Sequence, residues 1–125
     1  MYPLEGQYLY VVINWAPLNS NKRERRRHMP TYIVLLNYTQ QGIQKIKESP
    51  TRLDAAKKAF KAQGAELKQW YLVMGRYDAV VIAEAPNDET VAKLALAVGS
   101  QGAVHTETLR AFTEDEYRKI IAALP

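Results

Sequence analysis

The chain has 125 residues, of which 47% are hydrophobic and 24% are charged, and this composition is typical of one globular domain. It contains no cysteine, which excludes disulfides, thiolate nucleophiles and cysteine-ligated metal centres and fits a reducing compartment, so we expect a cytoplasmic protein. No apolar run approaches the roughly 20 residues that span a bilayer, so we expect no membrane partner.

The net charge of +4 is unevenly distributed along the chain. Residues 1–28 contain five basic and two acidic residues, whereas residues 29–125 contain twelve basic and eleven acidic residues. A nearly neutral domain attracts phosphate backbones weakly, so we expect no nucleic-acid partner for residues 29–125.

Residues 1–28 lack helical periodicity and end in a basic run from Lys22 to His28. Lys, Arg and Glu are encoded by purine-only codons, so this run resembles a translated ribosome-binding site upstream of Met29. We therefore expect a non-native or disordered extension over 1–28 and one folded domain over 29–125. The alternative is a basic arm that binds nucleic acid or acidic lipid.

The folded part begins with a β-branched, apolar stretch that predicts a strand over Thr31–Tyr38. A helix is predicted from Thr39 to Lys47, and Ser49-Pro50 restarts it, because proline fits the first helical position. Apolar residues at helical spacing follow, and Gly64 ends this helix.

The second half repeats the pattern. Strands are predicted over Leu67–Met74, Ala79–Ala85 and Val104–Phe112, with a turn at Gly75–Asp78 and a helix between the last two strands. Thr113 to Glu116 form a capping box for a final helix, whose predicted buried side is Tyr117, Ile120 and Ile121. This order predicts an α+β fold, a ferredoxin-like βαββαβ sandwich with an extra C-terminal helix.

The two central strands are apolar on both faces. Residues 33–36 and 79–83 do not alternate with polar residues, although the two helices of such a sandwich cover only one face of its sheet. A second copy of the chain is the simplest cover, so we predict a homodimer or a higher oligomer. The alternative is that the final helix folds back over this face.

Several stretches of residues 29–125 resemble the GYD-domain family. The signature Gly-x-Tyr-Asp occurs as Gly75-Arg76-Tyr77-Asp78, and similar flanking stretches occur at 49–55, 67–71, 83–90 and 106–112. The resemblance implies a ferredoxin-like fold of the dimeric α/β-barrel type. It implies no defined function, because the family is largely uncharacterised.

The signature turn is the first candidate site. Asp78 is a candidate general base, Tyr77 a hydrogen-bond donor and Arg76 an anion clamp, with Gly75 shaping the turn. The alternative is structural: Asp78 bonds backbone amides and Tyr77 packs as a lid.

The fourth predicted strand offers a second candidate. His105 and Glu107 share one face by the two-residue period, and Arg110 lies on the other. His105 is the only histidine after residue 28, so we expect no metal site and no cofactor, with haem bound through His105 as an alternative.

Aromatic residues, including Tyr38, Trp70 and Tyr77, are candidates to line an apolar pocket on the sheet face, and the alternative is that they pack in the core and at the interface. We therefore predict a dimeric domain that binds a small apolar or aromatic ligand. The alternatives are a small oxygenase- or isomerase-like enzyme that uses Asp78 or His105, and a structural interaction module. Pro30 would become an N-terminal amine, as in tautomerases, if Met29 were the start and were removed.

Overall fold

The computed structural model describes residues 29–125, so the predictions for residues 1–28 lie outside the described part of the chain. The elements follow in the order β1 Thr31–Tyr38, α1 Gln40–Gln44, a 3₁₀ turn Ile46–Glu48, α2 Ser49–Ala62, β2 Glu66–Leu72, β3 Ala79–Glu84, α3 Asp88–Ser100, β4 Val104–Ala111 and α4 Glu114–Ala122. None of the described helices is long and apolar enough to cross a membrane.

The four strands form one antiparallel sheet in the order β2-β3-β1-β4. The long helices α2 and α3 each connect two strands, which gives two βα units around the β2–β3 hairpin. This is the ferredoxin-like α+β sandwich with an extra C-terminal helix, so the predicted fold class is confirmed.

The sheet has two unlike faces. On the helix side, under α2 and α3, Tyr32 and Leu36 of β1 lie beside Ala83 and Ala79 of β3, and all four are buried. These residues join Phe60 and residues of α3 in one core. The opposite face, which we call the open face, has no described helix packed on it, and its apolar residues are only partly buried or exposed.

Local sequence accounts for where the helices begin. The Thr39 hydroxyl accepts a hydrogen bond from the Gly42 N–H at 3.0 Å, and Asn87 accepts one from the Thr90 N–H at 2.9 Å. Pro50 occupies the first turn of α2. Thr39 and Asn87 each accept a hydrogen bond from a backbone N–H that the first turn leaves without a partner, and Pro50 has no N–H that needs one.

Strand β2 differs from the predicted strand at both ends, and its pairing with β3 is irregular near its start. It spans Glu66–Leu72, because the Val73 N–H turns to bond the Asp78 carbonyl and closes the connection to β3. Lys68 has no partner in the register between Leu67 and Gln69, so this edge strand contains a β-bulge.

The predicted buried side of the final helix is wrong. The capping box of Thr113 and Glu116 is present, but Tyr117, Ile120 and Ile121 are 56%, 46% and 49% exposed. These three residues do share one side of the helix, as their spacing indicates. Residues 29–125 do not cover that side, since α4 buries none of its residues against them.

Candidate functional site

The signature turn is fixed to the end of β1 by Asp78. Its carboxylate accepts a hydrogen bond from the Tyr38 N–H at 2.9 Å, and its own N–H donates to the Leu36 carbonyl at 2.9 Å. Gly75 supplies a backbone φ of +132°, a conformation that residues with a side chain rarely adopt. The geometry therefore agrees with the structural interpretation of Asp78. Its carboxylate satisfies a backbone amide that lies 40 positions away in sequence.

Tyr77 reaches across the open face from this turn. Its hydroxyl donates a hydrogen bond of 2.7 Å to a carboxylate oxygen of Glu107 on β4. That bond is the main cause that raises the pKa of the Tyr77 phenol above its usual value. Arg76, beside it, is exposed.

His105 lies on the open face of β4, two residues from Glu107, and is exposed. Its register partner on β1 is Asn37. Across residues 29–125 no group of three or more His, Asp or Glu side chains is arranged to hold a metal ion. A haem ligand role for His105 stays an untested prediction.

The other predicted ligand-binding residues lie on the helix side. Trp70 and Tyr38 border a cavity there. Arg110 lies at the far end of the sheet, where its guanidinium stacks 5.6 Å from the Tyr32 ring centre and 4.4 Å from that of Phe112. The predicted residues therefore do not converge: the sheet separates Tyr77 and Glu107 from Trp70 and Tyr38.

The cavity lies between the sheet and the helices α2 and α3, and most of its lining is apolar. Leu53 and Ala56, which are among the apolar residues at helical spacing on α2, line this cavity together with Val98 of α3. The sequence feature that could have predicted the cavity is the number of alanines on α2 and α3, because short side chains on facing helices leave space above a sheet. The predicted pocket on the sheet face would need a partner and stays untested.

Two further apolar surfaces are not covered by any part of residues 29–125. We call the first the open-face patch; its members share one face of the sheet by the strand register, and they are Ile33, Leu35, Tyr71, Val80, Ile82 and Leu109. We call the second the α4 ridge: Tyr117, Ile120 and Ile121 share one side of α4, Leu124 follows two residues after the helix ends, and all four are 46–62% exposed.

The fold and these surfaces place the protein among small ferredoxin-like α+β domains. Among solved structures, it superposes on a feast or famine regulatory protein of Mycobacterium tuberculosis (TM-score 0.53, 17% identity, 74% of this chain and 58% of that one). It also superposes on the protein MtbAldR (TM-score 0.54, 14% identity, 68% of this chain and 52% of that one). The chain thus spans just over half the length of these two proteins, and the likeness is one of fold.

The sequence comparison is more specific. The GYD domain family matches residues 32–121, and the chain belongs to this family. It is 36% identical over 84 residues, 66% of this chain and 88% of the relative, to a Thermus thermophilus protein called the glutamine synthetase and cystathionine beta-lyase binding protein. The resemblance seen in the signature and its flanking stretches is therefore confirmed.

Proposed function

We propose that this protein is a homodimeric module whose function is to bind a metabolic enzyme. The observation that carries the proposal is that one small domain leaves two separate apolar surfaces uncovered, the open-face patch and the α4 ridge. Monomeric domains rarely expose large contiguous apolar surfaces, and those that do use them for association.

In this proposal the open-face patch packs against a second copy of the chain. Ile33 lies at its centre, between Ile82 on β3 and Leu109 on β4. Strands with one face in water normally alternate with polar residues, and β1 and β3 do not. A face that packs against its own copy about a two-fold axis closes the assembly at two.

In this proposal the α4 ridge is the surface that contacts the enzyme. A helix of nine residues is marginal in water by itself, and α4 buries none of its residues against the described part of the chain. Its apolar ridge therefore gains stability only from another surface. Helices of this kind bind by laying residues at i, i+3, i+4 and i+7 into an apolar groove.

The relative supports the choice of partner. That protein is named for binding glutamine synthetase and cystathionine beta-lyase, and its similarity to this chain extends over most of its length. We propose that this protein binds enzymes of the same two kinds, in the cytoplasm.

The dimer is tested by replacing Leu109 with lysine. Burying an ammonium group in an apolar interface is unfavourable, so Leu109→Lys should give a folded monomer in sedimentation velocity, while the unchanged protein sediments as a dimer. Leu96→Lys is the matched control, since Leu96 is 75% exposed on α3 and belongs to neither surface. A wild-type protein that is monomeric at micromolar concentration would contradict the proposed dimer.

The enzyme-binding part is tested on α4. Immobilised protein is titrated with purified glutamine synthetase and with cystathionine beta-lyase from Thermus thermophilus in biolayer interferometry. Ile120→Lys should weaken binding at least tenfold, about 1.4 kcal/mol, while the protein stays dimeric. Equal binding by Ile120→Lys and the unchanged protein would move the enzyme site away from the α4 ridge.

A ligand pocket between the two paired open faces is a second candidate. The observation that favours it is the hydrogen bond between Tyr77 and Glu107, which places polar groups beside the open-face patch. Native mass spectrometry of the dimer would detect a co-purified small molecule. A Tyr77→Phe variant that retains that molecule unchanged would argue against this candidate.

A further inference from the structure

The cavity on the helix side is a cleft between the sheet and the helices α2 and α3 that is partly open to solvent. It has a volume of about 270 Å³. Its floor is the sheet, with Val34, Val81 and Thr108, and its walls include Ala56 on α2 and Ala95 on α3. Short side chains on both helices leave the space that larger residues would fill.

The volume of this cleft is large enough to hold a small molecule. Protein cores contain few voids larger than a water molecule, and an apolar cavity of about 150 Å³ already binds benzene. A volume of about 270 Å³ lies just below the range of ligand pockets, roughly 300–1,000 Å³. It suits an occupant of about ten to twelve non-hydrogen atoms.

The two ends of the cavity differ in polarity. At the end where α2 begins, the Tyr38 hydroxyl and the Ser49 hydroxyl lie 3.0 Å apart, and Arg52 follows one turn later. Phe60 on α2 and Val91 on α3 are buried at the opposite end. Ser49 and Phe60 are separated by about 16 Å along the helix, since each residue adds about 1.5 Å.

The guanidinium of Arg52 is held in place by neutral acceptors. It donates to the Lys45 carbonyl at 3.2 Å and to the Gly42 carbonyl at 3.5 Å. Glu48 lies 3.8 Å away, but the Glu48 side chain is 64% exposed, so water screens this pair. Guanidinium has five N–H donors in a fork that fits a carboxylate, and several remain after these two bonds.

We propose that this cavity binds a small amphipathic monocarboxylate, with its hydrocarbon or aromatic body between the sheet and the helices. Its carboxylate accepts hydrogen bonds from Arg52 and from the one hydroxyl of the Tyr38–Ser49 pair whose proton is not donated to the other. The site is independent of the proposed dimer and of enzyme binding, because the sheet separates it from the open-face patch and α4 does not line it.

The ligand class is tested with octanoate and 3-phenylpropanoate as probes in isothermal titration calorimetry on the full chain. At roughly 0.55 kcal/mol per non-hydrogen atom, which lies between the values for drug-sized and for very small ligands, ten atoms give about 5.5 kcal/mol and a Kd on the order of 0.1 mM. Octanamide has the same size without the charge, and we expect it to bind at least tenfold more weakly. No heat of binding for either carboxylate up to about 10 mM, a hundred times that Kd, would overturn the proposal.

The location is tested by filling the cavity. Ala95→Leu places extra methyl groups in the space and should weaken octanoate binding at least tenfold while the melting temperature holds or rises. Ala92→Leu, on the same helix and outside the lining, is the matched control and should bind within about twofold. Equal binding by Ala95→Leu and Ala92→Leu would overturn the assignment of this cavity.

The charge is tested at Arg52. Arg52→Gln should weaken octanoate binding about tenfold and leave octanamide binding unchanged. Arg52→Lys keeps the charge and should recover part of the loss, which guards against misfolding of the glutamine variant. Octanoate affinity unchanged in both variants would overturn the role of Arg52 in binding the carboxylate.

Discussion

Replacing Asp78 tests whether the family signature is a structural device. In Asp78→Ala the Tyr38 N–H loses its acceptor 2.9 Å away, although the backbone bonds of residue 78 to Leu36 and Val73 can persist. A partly buried N–H without a partner costs about 1–3 kcal/mol, so we expect a loss of about 2 kcal/mol in unfolding free energy. Asp78→Asn keeps an oxygen in the same position and should lose less than about 1 kcal/mol.

The measurement is urea or thermal unfolding of both variants at one fixed protein concentration, because a dimer's melting temperature depends on concentration. For a domain of this size each kcal/mol shifts the melting temperature by about 4–8 °C, so Asp78→Ala should melt about 8–16 °C lower. Asp54→Ala is the control, since Asp54 is exposed on α2, and it should change stability by less than about 0.5 kcal/mol.

Two results would refute the reasoning. If Asp78→Ala is as stable as Asp54→Ala, the bond to the Tyr38 N–H contributes nothing measurable. If Asp78→Asn is as damaging as Asp78→Ala, the negative charge rather than the acceptor oxygen matters. In that case the hypothesis that Asp78 is a general base or a counter-ion would be favoured.

Three further predictions concern single positions. Gly75→Ala should lose about 1 kcal/mol from backbone strain alone, because φ is +132° and nothing lies within 4 Å of an added Cβ; urea unfolding measures it. Gly42→Ala should lose more, about 2 kcal/mol or above, because its Cβ would overlap the Ala103 carbonyl oxygen; equal losses in the two variants would contradict the close approach of α1 to that carbonyl. Burial and the hydrogen bond with Asp88 raise the pKa of Tyr32 to about 12, so stability present below pH 10 should fall as pH rises through 12, and Tyr32→Phe should fall less.

The fold was largely predictable because its signals are local. The strand over Thr31–Tyr38 and the capping box at Thr113 follow from residue type and spacing within a few positions. The exposed state of Ile120 was not predictable, since amphipathic spacing shows that a helix side seeks cover without showing which chain supplies it. The bulge at Lys68 was missed because its register depends on a partner strand.

The candidate site was harder to predict than the fold. The signature identified the turn, but the carboxylate of Asp78 bonds an amide 40 positions away, which no local pattern reveals. The cavity was missed because Ala56 and Ala95 also suit close helix packing. Whether alanines close a gap or leave one depends on how far the helices lie from the sheet.

The bulge at Lys68 also bears on whether copies of this chain can join edge to edge into a continuous sheet. A sheet that grows by adding strands from successive molecules needs two free edges, one to donate and one to receive. On the β2 edge the bulge interrupts the ladder and places a lysine where an incoming strand would pair. Among the described strands only β4 then offers an even edge, and a continuous sheet that pairs through β4 ends with two chains.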